Sequence, residues 1–145
     1  MRLSEKVNKT MPERAVGVIV KNDKVLLMRR IRNGQEYYVF PGGGVEQGES
    51  TETAIVREIK EELSINPKID KLLFEIENQG RQEYYYLIKE FSGQPQLGGE
   101  EKQRMNENNQ YYPVWMELDK LTNLDNLYPE LVKKKIMDLP LGEFR

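Results

Sequence analysis

The sequence predicts an α/β protein in the broad sense, of the α+β kind, with strands and helices interspersed and neighbouring strands paired antiparallel. Two observations carry this. Short apolar runs are separated by turn signals such as Asn22-Asp23, Asn33-Gly34 and Asn78-Gln79-Gly80, which fold adjacent strands into hairpins. In their midst residues 51–63 contain no glycine or proline, and Ile55, Ile59 and Leu63 recur every four positions, the spacing of a helix with one buried face.

In chain order, Arg14 to Val20 reads as a mostly buried strand and Val25 to Met28 as its hairpin partner. Arg29 and Arg30 end that partner. By alternation one faces inward, where it would grip a phosphate, and the other outward; the alternative is that both are solvated at the strand end. Tyr37 to Phe40 is a short aromatic strand leading to Pro41 and the run Gly42-Gly43-Gly44, where backbone can approach closely. Ser50 and Thr51 offer N-cap oxygens to the helix through Leu63, and Pro67 closes the helical segment. Ile69 to Glu77 reads as a one-sided strand with Leu72, Phe74 and Ile76 inward. Glu83 to Phe91 returns with Tyr84, Tyr86 and Ile88 on one face and Tyr85, Leu87 and Lys89 on the other, its tyrosines serving packing before ligand contact. Leu97 to Gln110 is polar and glycine-bearing, an irregular loop of functional length. Tyr111 to Glu117 is a last strand with Trp115 in the core, followed by a short turn at Leu118 to Leu121. Pro129 suits the first turn of a terminal helix to about Met137, with Leu131, Val132, Ile136 and Met137 as its apolar residues.

Composition excludes several chemistries. The 145 residues suit one domain, residues 1–145, with 1–13 as a flexible or strand-pairing segment. There is no cysteine and no histidine, so disulfides, thiol catalysis, imidazole bases and the usual zinc sets are absent. Acid–base and metal chemistry must run on carboxylates. A net charge of −2 does not suit a nucleic-acid polymer as partner, whereas a small polyanion carried with its metal is compatible. No run approaches a membrane span and the first residues lack a signal's apolar centre, so the expectation is a cytoplasmic protein without membrane contact.

The chemistry concentrates on the central helix. Glu58, Glu61 and Glu62 stand at i, i+3 and i+4, so three like charges emerge from one turn and repel one another. A hard divalent cation, Mg²⁺ or Mn²⁺, relieves that repulsion through oxygen ligands. The stretch Gly43, five residues, Glu49, seven residues, then Arg57-Glu58-Ile59-Lys60-Glu61-Glu62-Leu63-Ser64-Ile65 resembles the Nudix box, Gly-x5-Glu-x7-Arg-Glu-U-x-Glu-Glu-x-Gly-U with U a bulky aliphatic. Every position matches except the last glycine, here Ser64, where a left-handed helix cap is usual.

The resemblance, MutT-like in kind, implies the Nudix fold: a mixed β-sheet sandwiched between helices, with the box as loop-helix-loop. It further implies hydrolysis of a nucleoside diphosphate linked to another moiety by water attack on phosphorus. Glu58, Glu61, Glu62 and the Gly42 carbonyl would hold Mg²⁺ or Mn²⁺, while Arg57 pairs with Glu49 and fixes the neighbouring carboxylates. The glycine run followed by Val45-Glu46 resembles enzymes that take nucleoside triphosphates, oxidised ones included, to monophosphate and pyrophosphate. ADP-ribose and dinucleoside polyphosphates use the same box, and a nucleotide-binding regulator that does not hydrolyse is a further alternative. A glutamate of the 97–110 loop reaches the metal or acts as base in relatives; Glu100 is the first choice, then Glu101 and Glu107, against a solvated acidic loop. Glu58 is the first choice of base. Arg30, Phe40 and Asn126, the last just before the terminal helix, are the substrate-binding candidates, with Phe40 equally suited to the core. Many relatives form dimers, so a homodimer is compatible.

Overall fold

The computed structural model describes residues 12–144, with the side chains of Glu100, Glu101 and Leu141 outside the description. Most of the 1–13 segment therefore lies outside the described residues. Among the described residues eight strands occur: β1 (Arg14–Lys21), β2 (Lys24–Arg32), β3 (Gln35–Val39), β4 (Gly42–Gly44), β5 (Asn66–Asn78), β6 (Arg81–Ser92), β7 (Asn109–Glu117) and β8 (Leu127–Tyr128). Among the same residues three α-helices join them: α1 (Thr51–Leu63), α2 (Gly99–Arg104) and α3 (Glu130–Met137). The sheet runs β5-β6-β1-β2-β3-β8, with β4 added to β1 and β7 to β2. It is mixed, because β1 pairs parallel with β6 and β3 with β8 while the other pairs are antiparallel.

Alternation along β1 places one apolar set on each face. Ala15 and Ile19 pack with Ile55, Ile59 and Leu63 of α1, and Val16, Val18 and Val20 pack with Leu121, Val132 and Ile136 on the opposite face. The sheet is thus covered by α1 on one side and by α3 with the turn Leu118–Asn123 on the other, as expected. Ser50 caps α1 by accepting from the Thr53 N–H at 3.1 Å. Among the described residues no helix is long and apolar enough to cross a membrane.

The fold departs from the expected elements in several places. The 97–110 loop is not irregular throughout: α2 occupies Gly99–Arg104, and Asn106 and Asn109 bridge to close a tight turn. The Gly98 and Gln96 N–H groups donate to the Glu62 and Leu63 carbonyls of α1 at 2.8 and 3.0 Å, docking the loop on a helix end that needs donors. Trp115 is not core: it is 36% exposed and stacked 6.2 Å from Phe91, because β7 is paired on one side only, by β2. Leu72 is 42% exposed, since bulges between Lys68 and Phe74 shift the register that simple alternation assumes. Arg29 and Arg30 lie inside the β2–β3 ladder rather than at a strand end, which runs on to Arg32. Helix α3 starts at Glu130 with Pro129 as its cap residue, and of its apolar residues Val132 and Ile136 are buried while Leu131 and Met137 are exposed. Helix α1 ends at Ser64, ahead of Pro67, which lies in the edge strand β5.

Candidate active site

Helix α1 lays its apolar stripe on the sheet and so turns its carboxylates toward β4. The Glu58 carboxylate rests on Gly43: a Cβ built on that glycine would stand 2.3 Å from the Glu58 carboxyl carbon. Gly42 is equally crowded, with Ala15 O 2.3 Å from its hypothetical Cβ, whereas Gly44 has open space. The Gly42 N–H donates to Glu62 Oε1 at 3.0 Å. A side chain at Gly43 would displace the Glu58 carboxylate, and one at Gly42 would push β4 away from the β1 backbone.

Arg57 is the hub. Its Nε and Nη2 donate to the two oxygens of Glu49 at 2.8 and 3.0 Å, a bidentate pair. Nη1 donates to Glu58 Oε1 at 3.0 Å and to Glu61 Oε2 at 3.3 Å, and Nη2 also reaches the Gly44 carbonyl at 3.0 Å. One guanidinium therefore ties the acidic loop, two helix carboxylates and the glycine strand together. The Glu49 carboxyl is held down to about 2 by the Arg57 hydrogen bond first and the Glu46 N–H second. Burial raises the Glu58 carboxyl above its ordinary value, and the Arg57 bond opposes that shift without cancelling it.

Among the described residues no three carboxylates are arranged around a point that could hold a metal ion. Arg57 draws Glu58 and Glu61 to itself, and Glu62 lies on Gly42. The donor set is nevertheless all hard oxygen from one turn of helix beside a glycine strand, and it fits Mg²⁺ or Mn²⁺ by chemistry.

On the opposite face of the sheet lies a cavity of about 570 Å³. Val16, Phe40 and Tyr85 form its apolar wall, Arg14, Arg81 and Glu83 its charged one, and Tyr128 and Pro129 its rim. Val16 pairs with Gly42 and Arg14 with Gly44, so β4 borders both the cavity strand and the box helix.

The expected site residues separate into groups. Glu49, Arg57, Glu58 and Glu61 join one hydrogen-bonded cluster, with Glu62 on Gly42 beside it. Phe40 is 4% exposed in the core and also walls the cavity, edge-on to Tyr85. Arg30 is on the α1 face of β2, 4.8 Å over the Tyr111 ring, with Nη2 donating to Asn109 Oδ1 at 3.3 Å. Asn126 is committed to the scaffold: its Nδ2 donates to Glu36 O at 3.0 Å and its carbonyl accepts from the Tyr38 N–H at 2.8 Å. Glu100 belongs to α2 by its backbone, and its side chain, like that of Glu101, lies outside the described residues. Sequence reasoning missed Arg14, Arg81 and Glu83. One signal was available: Glu83 falls on the Tyr85 and Leu87 face of its strand, which is buried, and a charge there is rare without a task.

A family model described as NUDIX domain matches residues 11–137. The ADP-ribose pyrophosphatase of Methanocaldococcus jannaschii is 48% identical over 58 residues, 39% of this chain and 34% of that protein. The 8-oxo-dGTP diphosphatase of Escherichia coli is 33% identical over 88 residues, 56% of this chain and 68% of that one. The RNA pyrophosphohydrolase of Pasteurella multocida is 39% identical over 59 residues, 41% of this chain and 30% of that one. The chain thus spans about a third of the length of the first and third of these relatives, and about two thirds of the second. A MutT structure from work on Aliivibrio salmonicida and Vibrio cholerae superposes with a TM-score of 0.68 at 26% identity, covering 89% of this chain and 99% of that one.

Proposed function

We propose a function from one premise: the chain belongs to the NUDIX family. It is a pyrophosphohydrolase that cleaves a nucleoside diphosphate linked to another moiety, with nucleoside triphosphates, oxidised ones included, as its substrate class and monophosphate and pyrophosphate as products. The observation that supports this most is the Arg57 hub, which holds Glu49, Glu58 and Glu61 in fixed rotamers at one end of the glycine strand. A helix that served stability alone would not gather these like charges.

Glu58, Glu61, Glu62 and the Gly42 carbonyl would hold Mg²⁺ or Mn²⁺, with Glu100 as a further ligand. When bound, such an ion neutralises the pyrophosphate oxygens and lowers the pKa of the attacking water. The chain's own residues do the rest. Arg57 engages Oε1 of Glu58, which leaves Oε2 to take the proton of the attacking water. Burial makes that carboxylate a stronger base than a solvated one. The cavity beyond β4 takes the nucleoside, with Phe40 and Tyr85 as its aromatic wall and Arg14 placed between it and the carboxylates.

The test is ³¹P NMR of products from nucleoside triphosphates, oxidised dGTP, ADP-ribose and diadenosine polyphosphates with Mg²⁺. Pyrophosphate and monophosphate are expected from triphosphates, and cleavage of ADP-ribose alone would move the substrate class. Glu62→Gln should lower turnover by about 100-fold or more with little change in melting temperature. Near-normal turnover in that variant would sink the assignment.

A further inference from the structure

The cavity carries chemistry that the carboxylate cluster does not use. Among the described residues Glu83 is the one charged or polar residue buried in full, at 5% exposure, and it lines this cavity. Its Oε1 accepts from the Tyr85 hydroxyl at 2.8 Å and its Oε2 from Asn78 Nδ2 at 3.2 Å, with Arg14 Nε 3.7 Å from Oε2. Two donors and a cation therefore already face its two oxygens. The same contact, after burial itself, pushes ionisation of the Tyr85 hydroxyl up, so that hydroxyl stays a donor. A carboxylate accepts at about four positions and donates at none. Two hydrogen bonds leave room for a ligand's N–H groups.

Two residues earlier on β6, Arg81 also lines the cavity, and its Nε–H is buried with no acceptor among the described residues. Buried donors seldom stay unpaired in a finished protein, and an orphan beside a cavity is completed most simply by what enters it. The wall thus presents a donor and an acceptor two residues apart on β6.

We propose that the cavity is a nucleobase site that reads a guanine-type edge, Glu83 accepting from two adjacent N–H groups of the ring and Arg81 donating to the neighbouring carbonyl oxygen. The inference rests on the nucleotide reading above and narrows its substrate to guanine nucleotides. Among the common bases guanine alone sets a carbonyl, a ring N–H and an exocyclic amine in a row. Adenine and cytosine would bring a ring-nitrogen lone pair against the carboxylate. Uracil and thymine offer one N–H flanked by two carbonyl oxygens, and the carboxylate repels the second. Phe40 and Tyr85 supply the apolar contact that any base needs, and the charged pair supplies the choice.

The experiment titrates the full chain, without divalent metal, with GMP, IMP, AMP and CMP by calorimetry. IMP differs from GMP by the missing amine alone. GMP should bind about 10-fold more tightly than IMP, and AMP and CMP more weakly still. Glu83→Gln keeps the volume, and it should bring GMP and IMP to equal affinity; if its thermal melt shows that it does not fold, Arg81→Met should weaken GMP and IMP alike by a similar factor. Equal affinity of all four nucleotides for the unaltered protein overturns the proposal, as does an unchanged preference in a folded Glu83→Gln. Turnover of GTP and ATP at one rate with no binding preference removes the guanine site and leaves the hydrolase. A GMP preference without turnover of any triphosphate supports the site and removes the hydrolase.

Discussion

Gly43 has no side chain because the Glu58 carboxylate occupies the space where its Cβ would be, 2.3 Å away. The consequence can be measured. Gly43→Ala should displace Glu58 by about an ångström and lower kcat by roughly 100-fold, since small misplacements of a reacting group cost that much. Its melting temperature should change little, because the methyl meets a side chain and not the core. Glu49 makes a second prediction, in pH. Its carboxyl sits at about 2 against an ordinary 4.5, so the ionised pair with Arg57 adds stability above pH 4.5 that is lost as pH falls toward 2. Glu58 runs the other way: its raised value favours the folded state at low pH, and that contribution fades as pH rises through its folded value. Glu49→Gln should therefore flatten the fall in melting temperature between pH 4.5 and 2, measured by circular dichroism, and a slope equal to that of the unaltered chain would contradict the pairing.

At the scale of the element, the end of α1 is finished by two devices. Ser64 takes the left-handed conformation, φ 60° and ψ 30°, and its N–H caps the Lys60 carbonyl at 3.0 Å, so serine performs the turn that glycine gives elsewhere in the box pattern. The strap Gln96 to Gly98 supplies donors to the next carbonyls. Gly98 has ordinary dihedrals, φ −66° and ψ 156°, and is glycine for close approach alone: its Cβ would lie 1.9 Å from Glu61 O. Gly99 next to it has open space. Gly98→Ala should cost about 1–3 kcal/mol in urea unfolding by forcing the strap and α2 off the box helix, while Gly99→Ala should be neutral or slightly stabilising. Equal effects at the two glycines would show that the strap does not bear on the helix end.

Across the whole molecule, charge and topology set what can bind. A net charge of −2 gives no overall electrostatic attraction for a polyanion. A 5′-triphosphorylated oligonucleotide should therefore bind no more tightly than a nucleoside triphosphate, and its affinity should not fall more steeply between 50 and 200 mM salt, a range in which phosphate-tracking proteins lose about 1,000-fold or more. The fold sets the carboxylate cluster and the cavity on opposite faces of one sheet, with the glycine strand bordering both. The carboxylate cluster is legible in the amino-acid sequence. Helix period, cap, and the spacing of Glu49, Arg57, Glu58, Glu61 and Glu62 all reside in one stretch, and a helix converts spacing into a shared face with no outside help. The strands are legible as well, because alternation and turn residues are local. The cavity is not. Arg14, Arg81 and Glu83 come from strands that pair in parallel far apart in the chain, Leu72 is turned out by bulges, and Trp115 is exposed because its strand has a neighbour on one side alone. Register, bulges and edge position follow from which strands meet, and packing of the two cores settles that, not any residue's own preference. Short-range spacing is enough to build the box helix and its carboxylates, whereas the side chains that face the cavity are chosen only when β1 and β6, distant in the chain, come to lie side by side.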